Sequence, residues 1–178
     1  MSKIDPFDVL LNLEKRCQQN ALRLPAAGDA GDKWVGVGFR VGDDKLIAAM
    51  SEVEEILDVP EYTKVPGVKS WVVGIANVRG SLLPIMDLKG YVLGIDMQQR
   101  KRGRLIVINF KGFSTGLLVD EVYGMRRFYI EDQSQEKPQV HNHISPYIKN
   151  MFSKDNENWP VFSFENMVED ELFSQAAL

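Results

Sequence analysis

This chain repeats itself, and the repeat limits what it can fold into. Shifted by 76 positions, Trp71 falls on Tyr147, Val72 on Ile148, Ile75 on Met151, Pro84 on Pro160, Ile85 on Val161, Met86 on Phe162 and Leu88 on Phe164. No gap is needed. Asp87 falls on Ser163, and both are good helix N-caps. Shifted by 69, Glu52-Val53 falls on Glu121-Val122 and Ile56 on Met125. Phe39 is set against Phe110 if one or two deletions are allowed. A period near 70 is too long for a solenoid unit. It suits two small β-barrels of about five short strands each. The expected layout is an N-terminal helical arm and linker over 1–33, a first barrel over 34–97, and a second barrel with a C-terminal helix over 98–178. Strand exchange between the barrels is compatible with this pattern.

Within the first copy, 72–88 reads VVGIANVRGSLLPIMDL. Val72, Val73 and Ile75 suit a strand. Asn77-Val78-Arg79-Gly80 is a turn, with Gly80 free to take a positive φ and Asn77 able to bond its own backbone. Leu82 to Met86 reads as a return strand buried on both faces. Pro84 lacks an N–H, which places it at an edge or a bulge. Asp87 is expected to cap a short helix from Leu88.

The repeat also serves as an internal control. Residues that both copies keep are required by the fold, and residues in one copy only are candidates for function. Arg79 falls on Asp155, Gly80 on Asn156 and Glu55 on Gly124. Glu55 and Arg79 are thus both peculiar to the first copy, as interacting partners would be. The bland alternative is two solvated loop charges, for which an exposed pair contributes only about 0–1 kcal/mol.

The runs Gly74-Ile75-Ala76-Asn77-Val78-Arg79-Gly80 and Leu83-Pro84-Ile85-Met86-Asp87-Leu88 together resemble the signature of the CheW-like family. The resemblance extends to Phe39, Gly42, Glu52-Val53, Ile56, Val65-Pro66-Gly67 and Gly116 to Asp120, and so covers about Trp34 to Phe164. The run Val65 to Trp71, taken with the N-terminal arm, resembles the members that serve type IV pilus (twitching motility) systems. The resemblance implies a mainly β fold of two small five-stranded, SH3-like β-barrels. It implies a non-enzymatic adaptor that couples a methyl-accepting chemoreceptor's cytoplasmic tip to the regulatory domain of a CheA-like histidine kinase. It implies no cofactor, and a partner-binding site at Val53, Glu55, Asn77, Arg79 and Gly80, with Glu55 and Arg79 close together beside the groove that receives the receptor.

The rest of the chain offers weaker candidates. Asp5 as N-cap, Pro6 at the first helical position and the stripe Leu10, Leu13, Cys17, Ala21 predict a helix from Pro6 to about Leu22, read as packed on the body. Met167, Val168, Leu172 and Ala176 predict a C-terminal helix over the second barrel. Gly36-x-Gly38 with Gly42 has the wrong spacing for a dinucleotide loop. His141 and His143 lack further ligands and read as a polar loop. The basic connector Arg100, Lys101, Arg102 and Arg104 is the one feature that suits a nucleic-acid-binding barrel. The net charge of −4 argues against that alternative, and no aromatic platform is interleaved. The single cysteine excludes an intramolecular disulfide, and no apolar run reaches the roughly 18 residues of a membrane span. A cytoplasmic protein without direct membrane insertion is expected.

Overall fold

A computed structural model describes residues 32–94, 103–134, 136 and 138–174. The predicted N-terminal helix and Arg100 to Arg102 lie outside the described residues.

The elements run β1 (Lys33–Val41), β2 (Asp44–Ala49), β3 (Glu55–Asp58), β4 (Tyr62–Thr63), β5 (Val72–Val78), β6 (Ser81–Asp87) and α1 (Leu88–Leu93). They continue β7 (Arg104–Phe110), β8 (Phe113–Val119), β9 (Glu121–Tyr129), β10 (Gln133–Ser134), β11 (Ile148–Lys154), β12 (Glu157–Phe162), α2 (Phe164–Val168) and α3 (Glu171–Ser174). Single 3-10 turns at Met50–Glu52, Ile130–Asp132 and Ser145–Tyr147 join some of them.

Two six-stranded sheets result, ordered β3-β7-β8-β6-β5-β4 and β10-β11-β12-β2-β1-β9. Each is the expected five strands plus one two-residue strand, β4 or β10. Strands are exchanged. The β1–β2 hairpin ladders into the second sheet and β7–β8 into the first, so the sequence boundary at 97/98 separates no sheet from another. Each sheet has one parallel junction, and the two junctions correspond: Ile85 pairs with Gly116 and Val161 with Ile47.

The registers also correct one alignment. Phe39 pairs with Leu46, and Ile108 with Thr115. The shift of 69 therefore runs without deletion from β1 through β3, and Phe39 corresponds to Ile108 rather than Phe110.

Alternation along the strands explains the continuous apolar runs. On β7, Ile106 and Ile108 enter a core shared by both sheets, while Leu105 and Val107 fill the interior of the first sheet. On β2, Leu46 and Ala48 face the shared core and Ile47 faces the interior of the second sheet with Phe128, Phe152 and Trp159. A strand buried on both faces has no polar side to show.

Pro84 is neither on an edge strand nor at a bulge, contrary to expectation. β6 lies between β5 and β8, and the register shift in this hairpin falls between Val72 and Gly74. The parallel ladder to β8 begins only at Ile85, so the missing N–H of Pro84 faces no ladder partner there. Its carbonyl accepts from Thr115 Oγ1 at 3.1 Å. Pro160 holds the corresponding place beside Val161.

The caps form as expected. The Asp87 carboxylate accepts from the Lys89 N–H at 3.1 Å, and Ser163 Oγ from the Asn166 N–H at 3.2 Å. The C-terminal helix is two short helices instead of one. Asp170 Oδ1 accepts from the Leu172 N–H at 2.8 Å at the start of the second. Leu172, predicted to pack, is exposed, and Phe173 is buried in its stead. Phe173 stacks on Trp71 at 5.7 Å and meets Tyr91 edge-on. Tyr91 and Tyr147 hydroxyls lie 3.0 Å apart, and Tyr147 donates to Asp170 at 2.8 Å. Burial, then the contact with Tyr147, raises the pKa of Tyr91 far above the ordinary tyrosine range.

Candidate functional site

The β5–β6 hairpin pairs Val78 with Ser81, leaving Arg79-Gly80 as a two-residue loop. Their φ values are 52° and 87°. Two positive φ values define a type I′ turn, whose twist matches that of the flanking strands. Asn77 Oδ1 accepts from the Gly80 N–H at 2.9 Å and fastens the turn. Gly80 takes its conformation without steric cost, whereas Arg79 is a side-chain-bearing residue in the left-handed region, at a cost of roughly 1–2 kcal/mol.

From this tip the Arg79 guanidinium donates to Glu55 Oε1 on β3. β3 and β5 are far apart in the strand order, so the contact spans the seam where the first sheet curls back on itself. The Arg79 side chain remains 77% exposed and that of Glu55 28%. Glu55 and Arg79, both peculiar to the first copy, therefore touch. The second copy makes the same turn from Asp155 and Asn156, at φ 54° and 60°, with Gly124 where Glu55 would stand.

The other expected site residues have narrower roles in the structure. Asn77 and Gly80 build the turn. Val53 is only 8% exposed and packs in the shared core. It can offer a partner no more than its edge.

Leu82 was missed from sequence. It was expected to be buried, but it is 76% exposed. It pairs opposite Asn77, beside the Arg79 turn. β8 covers β6 only from Ile85 onward, so the first residues of β6 overhang the sheet. The available signal was its distance from the parallel junction, which the sequence does not reveal.

Two weaker candidates are accounted for locally. His141 Nδ1 lies 2.5 Å from Asp44 Oδ2, tying its loop to the start of β2. Arg104, the described member of the basic connector, is paired with Asp58.

Residues 35–172 match the family model described as the CheW-like domain. Protein PilI of Pseudomonas aeruginosa is 41% identical over 174 residues, covering 97% of this chain and 97% of that protein. Chemotaxis protein CheW of Thermotoga maritima is 29% identical over 99 residues, covering 56% of this chain and 65% of that one. In the crystal structure of scaffolding protein TtCheW from Thermoanaerobacter tengcongensis the same fold appears, with a TM-score of 0.66 at 21% identity over 79% of this chain and 95% of that one. The chain belongs to the CheW-like domain family.

Proposed function

We propose that this protein is a non-enzymatic coupling adaptor that joins a methyl-accepting chemoreceptor's cytoplasmic tip to the regulatory domain of a CheA-like histidine kinase. Its extensive likeness to PilI supports a type IV pilus chemosensory system as the setting. Such an adaptor works in the cytoplasm at membrane-associated receptor arrays. Among the described residues, no helix is long and apolar enough to cross a membrane.

The observation that carries this reading is the Glu55–Arg79 pair. It stands on a rigid two-residue turn, in one copy of the repeat only, with an unfavourable backbone conformation retained at the arginine. Exposed Leu82 lies alongside as an apolar anchor. An exposed leucine beside a held guanidinium is the composition of a small protein contact, with an apolar centre and a polar rim. Transient signalling contacts of this kind bury under about 1,200 Å². Signal passes through coupled binding equilibria, so the adaptor itself performs no chemistry.

Calorimetry with a purified kinase regulatory domain tests the reading, without metal or nucleotide. Binding is expected at tens of micromolar or tighter, about −6 kcal/mol or better. Arg79→Ala and Leu82→Ala should each weaken, in the same calorimetry, binding of a chemoreceptor's helical tip to the adaptor–kinase complex, without unfolding the protein. Absence of kinase binding defeats the adaptor reading, and receptor binding indifferent to both substitutions defeats the assignment of this surface.

A further inference from the structure

The second sheet has its own seam, at the place where Glu55 and Arg79 latch the first. Here β9 faces the β11–β12 hairpin across a cavity of about 260 Å³. β9 is the last strand of its sheet, and among the described residues it ladders only with β1. Among the described residues no ion pair crosses the gap. Instead, Lys154 Nζ donates to the Arg127 carbonyl at 3.2 Å.

The charge of this seam differs from that of its counterpart. Arg126 and Arg127 hold the positions of Leu57 and Asp58, and Lys154 that of Val78. Among the described residues, none of the three cations is paired with a carboxylate. Two of them are braced by aromatic rings. The Arg126 guanidinium lies 5.3 Å from the Trp159 ring centre, and Lys154 Nζ lies 5.8 Å from that of Tyr129. Met125, on the same strand, is 61% exposed. In a chain of net charge −4, three cations gathered at one seam, none paired with a carboxylate among the described residues, are not background.

We propose that this seam is a docking groove for an acidic, extended polypeptide segment of a partner protein. The strand edge offers backbone groups for β-augmentation, the cations select carboxylates, and Met125 offers an apolar contact between them. Asp155 and Glu157 also line the groove. Those carboxylates disfavour a continuous polyanion such as nucleic acid or an anionic membrane. They are compatible with a peptide whose charges are spaced by the pleat. The two seams thus give the molecule two pseudo-equivalent docking sites of different electrostatic character.

The test is fluorescence anisotropy of the full chain with a fluorescein-labelled peptide of alternating glutamate and valine. The controls are the lysine–valine peptide, phosphatidylserine vesicles and poly-thymidine. Binding of the acidic peptide alone is expected. It should fall steeply between about 0.1 M and 1 M salt, as the screening length drops from about 10 to 3 Å. Joint substitution Arg126→Gln, Arg127→Gln and Lys154→Gln should weaken it at least about tenfold, or about 1.4 kcal/mol. The melting curve should be unchanged. Asp155→Asn keeps a residue suited to its positive φ and removes a rim anion, so it should tighten binding. The proposal is overturned by three outcomes: no binding of the acidic peptide, binding insensitive to these substitutions, or tighter binding of vesicles or poly-thymidine that the triple substitution abolishes.

Discussion

Arg79 occupies a position where arginine is a poor conformational choice. Asparagine fits a left-handed turn position far better, and the second copy puts a short polar side chain, Asp155, at the same place with φ 54°. Arg79→Asn should therefore leave stability unchanged or raise it by up to about 1 kcal/mol, while weakening partner binding. Urea unfolding beside the calorimetry described above separates the two effects. A loss of more than about 1 kcal/mol would make the arginine structural and remove it from the site. The Glu55–Arg79 coupling itself should be small in stability, about 0.2–1 kcal/mol, because the pair is largely solvated. In binding, Glu55→Gln with Arg79→Asn should be no worse than the worse single substitution, since the two act as one unit. Asn77→Ala should behave in the opposite way. It removes the acceptor of the Gly80 N–H and should cost about 1 kcal/mol of stability.

At the scale of elements, the C-terminal segment is tied down by an aromatic cluster and a chain of hydroxyls. α3 has four residues, too short to be stable alone. Its hold on the body includes Phe173 among Trp71 and Tyr91, with Asp170 taking the Tyr147 hydroxyl. This arrangement gives a pH dependence. Tyr91 and Tyr147 both have raised pKa values, with burial as the leading cause, so folding favours their protonated forms. Their contribution is present in full below the ordinary tyrosine value of about 10 and falls as pH climbs above it, because the unfolded chain then ionises first. Tyr91→Phe and Tyr147→Phe should flatten the loss of melting temperature on the alkaline side. An unchanged alkaline slope in both would show that the hydroxyl chain contributes nothing. The caps offer a comparison between copies. Asp87→Ser should be tolerated better than Asp87→Ala, because Ser163 performs the same capping in the second copy.

At the scale of the molecule, exchange of the two hairpins makes each sheet depend on chain from both halves. β1–β2 complete the second sheet and β7–β8 the first, and the core between the sheets draws on all four. Fragments 32–97 and 98–178 should each fail to unfold cooperatively when expressed alone. Mixed, they should recover a single transition by circular dichroism. If either fragment alone melts cooperatively with native strand content, the two sheets are independent units and the exchange is incidental.

The sequence determined the local chemistry because that chemistry is carried within a few residues. Asn77 to Gly80 specify their turn, and Asp87 and Ser163 specify their helix starts. The pairing of Glu55 with Arg79 was legible from two signals together: a second copy of the repeat that lacks both residues, and the resemblance to the CheW-like family. The β-rich, two-unit architecture was legible for the same reason. Three things were settled only by tertiary structure. Which hairpin completes which sheet depends on ladders between residues far apart in the chain, and hydrophobic periodicity is the same in either arrangement. The exposure of Leu82 depends on where β8 stops covering β6, which is a property of the register and not of the leucine. Arg126, Arg127 and Lys154 gather at one seam because the second sheet curls, bringing β9 against the tip of a hairpin that follows it by some 25 residues.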